Sequence, residues 1–180
     1  MNALKISSFL TFFFVVFATP SFAGGQYVDK TGFAISGYDV TSYWGLKQNP
    51  VGQAQPAPLP GKKSITADYN GAKWAFASEA NRDKFLKDPA KYTPLYDGHC
   101  AYGASVGNSN TGGKVPANPK LWRIIDGKLY LNITETVVGF WERDIPGHIK
   151  QADKNWGAGL ETKPASSGPV PLFKTDKAPI

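Results

Sequence analysis

Apolar and polar residues alternate in two stretches of this chain, and each stretch is centred on an Asx-Gly pair. Residues 65–69 and 72–76 flank Asn70-Gly71, and residues 121–125 and 128–132 flank Asp126-Gly127. Asx-Gly supplies the two left-handed positions of a type I′ turn, so both stretches read as β-hairpins. Period-two spacing puts Trp74 and Phe76 on one face of the first. A hydroxyl residue and a helical pattern follow each hairpin. Ser78 caps a helix over 79–87, with Glu79 at its positive end and Phe85 and Leu86 pointing inward. Asp88-Pro89 stops that helix and opens a turn through Tyr92. Thr134 caps a second helix running toward Arg143, with Val137, Val138 and Trp141 on its apolar side. Pro146 suits the first turn of a last helix, in which Ile145, Ile149, Ala152 and Trp156 recur at helical spacing.

The connections are also legible. Residues 48–63 carry Pro50, Pro56, Pro58 and Pro60 and must form a loop, since packed elements do not tolerate so many missing backbone donors. Residues 98–107 are mostly small and allow close backbone approach, and 108–119 form a polar Gly/Pro-rich loop. Residues 35–44 fit either a strand or a short helical turn. The shared order of strand, Asx-Gly, strand and helix is compatible with duplication, but two hairpins are common enough that it carries little weight. The expected fold is α+β: one compact domain over 24–160, two β-hairpins forming small antiparallel sheets packed with helices.

The ends of the chain change the picture. Lys5 precedes an apolar run over 6–18, Pro20 breaks it, and Ser21-Phe22-Ala23 places small residues at the −3 and −1 positions of a cleavage site. This reads as a signal peptide over 1–23, cut after Ala23, with the mature chain exported to the periplasm or secreted. The run is shorter than the roughly 20 residues that cross a membrane, and no later segment is apolar enough to span. From 161 to 180 the chain is rich in Pro, Ser and Lys and reads as a disordered tail.

The net charge of +6 belongs to scattered lysines. No nucleic-acid recognition module is present, so nucleic acid is not an expected partner. The distinctive chemistry is a single cysteine, Cys100, beside one of two histidines, His99. In an oxidising compartment a lone thiol has no internal disulfide partner.

Several segments together resemble the exported bacterial YHS-domain proteins: Gly37-Tyr-Asp-Val-Thr-Ser-Tyr43, Tyr69-Asn-Gly71 leading to Trp74-Ala-Phe-Ala-Ser78, Asn81-Arg82, Phe85, Asp88-Pro-Ala-Lys-Tyr92 and Tyr96-Asp-Gly-His-Cys-Ala-Tyr102. Trp122 to Asn132 and Trp141 to Pro146 extend the likeness. The resemblance implies a metal-binding role, because the cysteines of short YHS domains are thought to bind metal. Those domains place cysteines near the start and just before the helix. Here the corresponding stretches read Tyr38-Asp-Val-Thr-Ser and Phe76-Ala77-Ser78, so that site is not carried over.

Three readings of Cys100 stay open. It could ligate a soft transition metal, Cu or Zn, with His99 and, through the fold, His148; Asp39, Asp68 and Asp97 are oxygen donors within the same domain. It could be a buried, inert packing residue, with His99 bonded to backbone. It could be a nucleophile activated by His99 or His148, although no catalytic motif surrounds it. A non-enzymatic binding protein, for a metal ion or small ligand, is the leading expectation. A structural or interaction domain with an inert cysteine is the alternative, and a cysteine-dependent enzyme comes third.

Overall fold

The computed structural model describes residues 25–107 and 112–165. The leader expected over 1–23, residues 108–111 of the expected loop, and the tail from 166 lie outside the described residues. A left-handed turn at Ile35–Gly37 and a 3-10 helix at Val40–Gly45 open the fold and resolve the strand-or-turn alternative at 35–44 in favour of the turn. Strands β1 (Lys62–Tyr69) and β2 (Ala72–Phe76) follow, then helices α1 (Glu79–Lys87) and α2 (Pro89–Tyr92). A 3-10 turn at Tyr96–Gly98 leads into α3 (Ala101–Val106). Strands β3 (Asn118–Ile125) and β4 (Lys128–Asn132), α4 (Glu135–Trp141) and α5 (Ile145–Asn155) complete it. The sheets are two separate antiparallel pairs, as an α+β fold of two hairpins requires. Among the described residues no helix is long and apolar enough to cross a membrane.

The second half repeats the backbone of the first. The hairpins share one register: Lys62↔Phe76, Thr66↔Ala75 and Tyr69↔Ala72 correspond to Asn118↔Asn132, Trp122↔Leu131 and Ile125↔Lys128, with the same irregularity after the first pair. Ser78 and Thr134 each cap the helix that follows, accepting from Asn81 N and Val137 N. Asp88 and Asp144, at φ/ψ of −154/72 and −153/72, each cap the next one. Ahead of each hairpin stands a left-handed turn. Ile35, Ser36 and Gly37 have φ of 44, 54 and 77, and Tyr96, Asp97 and Gly98 have 55, 52 and 76. Asp39 then caps the first short helix and Cys100 the second. Asp39 N donates to Leu59 O at 2.8 Å, and Cys100 N to Val115 O at 3.0 Å.

The two halves pack into one body. Trp74, Phe76 and Phe85 of the first share a buried cluster with Trp122, Leu129 and Leu131 of the second. Phe85 meets the rings of Tyr69, Trp74 and Phe76, and burying such a side chain stabilises by roughly 2–3 kcal/mol. Leu86, expected inward, is 53% exposed. One residue further along the helix is about 100° around it, and Phe85 already fills the inward position. The α5 stripe packs as its spacing predicts, with Ala152 buried and Ile145, Ile149 and Trp156 half-buried against Trp141 and Tyr130.

A buried ion pair ties the proline-rich loop of the first half to the second. Arg123 Nε donates to Glu142 Oε1, Nη1 and Nη2 donate to Asn49 O and Pro50 O at 2.8 and 2.9 Å, and Gly52 N donates to Glu142 Oε2 at 2.7 Å. Within the loop Asn49 and Gln55 bond each other and Gln53 N donates to Pro50 O, and the Arg123–Glu142 pair adds the anchors from across the interface.

Candidate functional site

The backbone runs extended through His99 (φ −78, ψ 165) and Cys100 (φ −60, ψ 121). Successive side chains of extended backbone diverge, and these two enter different surroundings. Cys100 is fully buried against Val115 and Ile133. Its thiol donates to Asn132 Oδ1 and its sulfur accepts from Gly103 N, both at 3.4 Å. Asn132 Oδ1 also accepts from Tyr102 N at 3.1 Å. Burial pushes the Cys100 thiol up to about 11, outweighing the backbone N–H groups of Gly103, Ile133 and Tyr102 that favour the thiolate. A thiol held protonated and away from solvent is a poor nucleophile.

His99 turns the other way. Its Nδ1 lies 3.2 Å from Val115 O. A carbonyl only accepts, so Nδ1 carries the proton and Nε2 the lone pair. The ring centroid is 5.1 Å from Tyr27 and 6.5 Å from Trp156. Burial first, and then the Lys114 ammonium, lower this imidazole from 6.5 to about 4, against the opposing bond to Val115. His99 is therefore neutral at pH 7.

A polar cluster surrounds this side of the turn. Asp97 O accepts from Tyr27 N at 2.7 Å, and Asp97 Oδ1 accepts from Asn70 Nδ2 at 3.4 Å. Asp97 Oδ2 is buried with no partner. Burial raises the Asp97 carboxyl from 3.8 to about 6; Glu161 adds to the rise, and Lys114 and Asn70 oppose it. Gln26 lies over Gly98. A Cβ at residue 98 would meet Gln26 Nε2 at 2.1 Å, so this turn needs glycine for space as well as for its positive φ. Both polar atoms of the Gln26 amide are buried and unpaired. Lys114 Nζ donates to Glu161 O at 2.8 Å and sits 5.5 Å from the Trp156 ring centroid.

The remaining expected donors are elsewhere. His148 Nδ1 is 3.2 Å from Ser105 Oγ, its ring edge-on to Tyr102 at 5.1 Å. Asp39 is fully buried and fully bonded: Oδ1 accepts from Thr41 N and Oγ1 at 2.9 and 2.7 Å, and Oδ2 from Ala77 N and Asn81 Nδ2 at 2.9 and 2.6 Å. Asp68 pairs with Lys73 at the surface. Among the described residues no three His, Cys, Asp or Glu side chains form a group able to hold a metal ion. Cys100, His99 and His148 are thus not assembled as one ligand set among the described residues, and the sulfur is instead bonded to Asn132 and the Gly103 N–H. The residues as placed do not fit a closed metal site, which requires four converging donors.

Of the tyrosines near the motif, Tyr38, Tyr43 and Tyr96 are buried packing residues. Tyr43 OH donates to Pro119 O at 2.8 Å and Tyr96 OH to Asp153 Oδ1 at 2.9 Å. Arg82 pairs with Asp83 at 3.0 Å, as their adjacency allows, whereas Arg143 lies over the Phe140 ring at 5.0 Å. A separate opening of about 260 Å3 lies between residues 52–55 and α4, floored by Trp122. It contains no cysteine or histidine. Sequence reasoning missed Gln26, Lys114 and Asn132. Asn132 had a signal: it ends an otherwise apolar strand at the position where the first hairpin has Phe76.

Residues 54–96 match the family model of the YHS domain. No curated protein and no solved structure matches the chain. The matched segment runs from the proline-rich loop through β1, β2, α1 and α2 to Tyr96. His99 and Cys100 lie beyond it, in the second copy of the backbone plan. The segment from Ala54 to Tyr96, which holds most of the first repeat, is thus the part of the chain similar to a YHS domain.

Proposed function

We propose that this chain is a non-enzymatic binding protein, exported through the leader read at residues 1–23. Its ligand site is the polar cluster around Asp97 and His99, and Cys100 is a packing thiol. One observation carries this reading. Four buried side-chain polar atoms lack a partner among the described residues, and three of them, Gln26 Nε2, Gln26 Oε1 and Asp97 Oδ2, belong to this one turn. An unpaired buried polar group costs about 1–3 kcal/mol, so three together mark a place where a partner is supplied from outside the fold. The raised thiol and the divergence of His99 from Cys100 argue against both a nucleophile and a shared metal ion.

Two measurements test the reading. A thiol reagent is expected to leave Cys100 unmodified until the protein is denatured. Titration with Cu(I) and Zn(II) is expected to give the same affinity for the wild type and Cys100→Ser. A tenfold or greater loss of metal affinity in Cys100→Ser would overturn the proposal and support a transition-metal site built on Cys100 and His99.

A further inference from the structure

Resting on that reading, we propose that the ligand of the Gln26–Asp97 site is a small molecule with a carboxamide edge, an N–H group beside a C=O, and no negative charge. Gln26 is 6% exposed, and both ends of its amide are buried without partners. A primary amide presents a donor and an acceptor side by side in one plane. The group that answers both together is another amide edge, its C=O to Nε2 and its N–H to Oε1. Asp97 Oδ2 supplies a further buried acceptor for a remaining N–H. Lys114, 8% exposed and with one donor given to Glu161 O, adds a positive charge near Asp97 and His99.

Charge narrows the class. Lys114 is one ammonium beside two carboxylates, Asp97 and Glu161. An anionic ligand would add a third negative charge to a part-buried setting, and an uncompensated buried charge is more costly than an unpaired dipole. Gly98 keeps Gln26 in place, because any side chain there would displace Nε2.

The test uses the full chain, with acetamide and benzamide as neutral probes and acetate and ethylammonium as charged ones. Ligand-observed NMR and thermal unfolding are compared for the wild type, Gln26→Met, Gln26→Asn, Asp97→Asn and the exposed control Gln53→Met. The expected result is saturable binding of the amides. Affinity should fall at least tenfold in Gln26→Met and Gln26→Asn, fall in Asp97→Asn, and stay unchanged in Gln53→Met. Near-UV circular dichroism confirms that each variant is folded, and Gln26→Asn keeps the test intact if Gln26→Met is not. Absence of saturable amide binding, equal amide binding in the Gln26 variants, or ordered water only at Gln26 in an amide-soaked crystal overturns the proposal. Tighter binding of acetate or ethylammonium, lost in Gln26→Met, overturns the amide class and leaves the binding site itself standing.

Discussion

Residues 35–92 and 96–155 follow one backbone plan, yet they treat their buried polar groups in opposite ways. In the first repeat Asp39 caps the short helix and its carboxylate receives four hydrogen bonds. Among the described residues no buried side-chain polar atom of this repeat is left unpaired. In the second repeat the same position is Cys100, with Asn132 taking over part of the bonding where the first hairpin has Phe76. The unpaired atoms gather one turn away, at Asp97 and Gln26. The family match covers the closed repeat, and the candidate site belongs to the open one. A repeated backbone fixes where N–H groups converge; the side chain placed there decides whether that spot is a structural anchor or leaves room for a ligand nearby.

The contrast is broken most directly at its two capping residues. Asp39→Ala strands the N–H groups of Thr41 and Ala77 and the Asn81 amide inside the core, and is expected to lower stability by about 4 kcal/mol in urea unfolding. The tie between the repeats is next. Glu142→Ala leaves a buried Arg123 without its carboxylate and is expected to cost about 3 kcal/mol, with early proteolysis of the 48–60 loop as its local signature.

Acid separates the repeats by a different route. His99 has a lower pKa folded than unfolded, so its contribution is fully present above pH 6.5 and is lost as pH falls to about 4. The loss is on the order of 3 kcal/mol if His99 acts alone. Asp97 works against it. Its folded pKa is raised, so it favours folding as pH falls through about 6 toward 3.8, by a smaller amount because the group is half-exposed. Urea unfolding between pH 7 and 4 should therefore show a moderate loss for the wild type, a steeper one for Asp97→Asn, and no loss or a slight gain for His99→Asn. Identical slopes for the three proteins would dissolve the link between this turn and acid stability.

Cys100→Ala is expected to cost only about 1–2 kcal/mol, since a small buried side chain is trimmed and Asn132 keeps its bond to Tyr102. A loss as large as that of Asp39→Ala would mean that the two positions are not the anchor and the packed thiol described above. The smallest effect carries the opposite sign. Gln26→Met removes two unpaired buried atoms and should raise the thermal midpoint slightly, by the equivalent of about 1 kcal/mol, in the absence of ligand.

Much of this fold was legible in the sequence. Asn70-Gly71 and Asp126-Gly127 mark turns whose geometry admits few other residues, and Ser78, Thr134 and Asp88 are residues whose oxygens cap helices. The shared order of elements was visible but carried little weight, and differing residues such as Phe76 and Asn132 hid the matching register. The left-handed turns were not legible, because no local rule puts Ile35 or Tyr96 at positive φ; the surrounding contacts impose it. The candidate site was half visible. His99 and Cys100 stand out by residue type, but their divergence depends on backbone angles. Gln26 lies in a stretch read as a simple lead-in to the fold, and only the tertiary structure brings it onto Gly98.

The Arg123–Glu142 pair has a consequence for how the protein is made. Chain synthesis runs from the N-terminus, so the YHS segment is complete long before residue 142 leaves the ribosome. Until then the 48–60 loop lacks the side chains that hold Asn49, Pro50 and Gly52. The first repeat gains these anchors only once the second is in place, so a chain truncated before α4 should leave that loop more open to protease than one extended past α5.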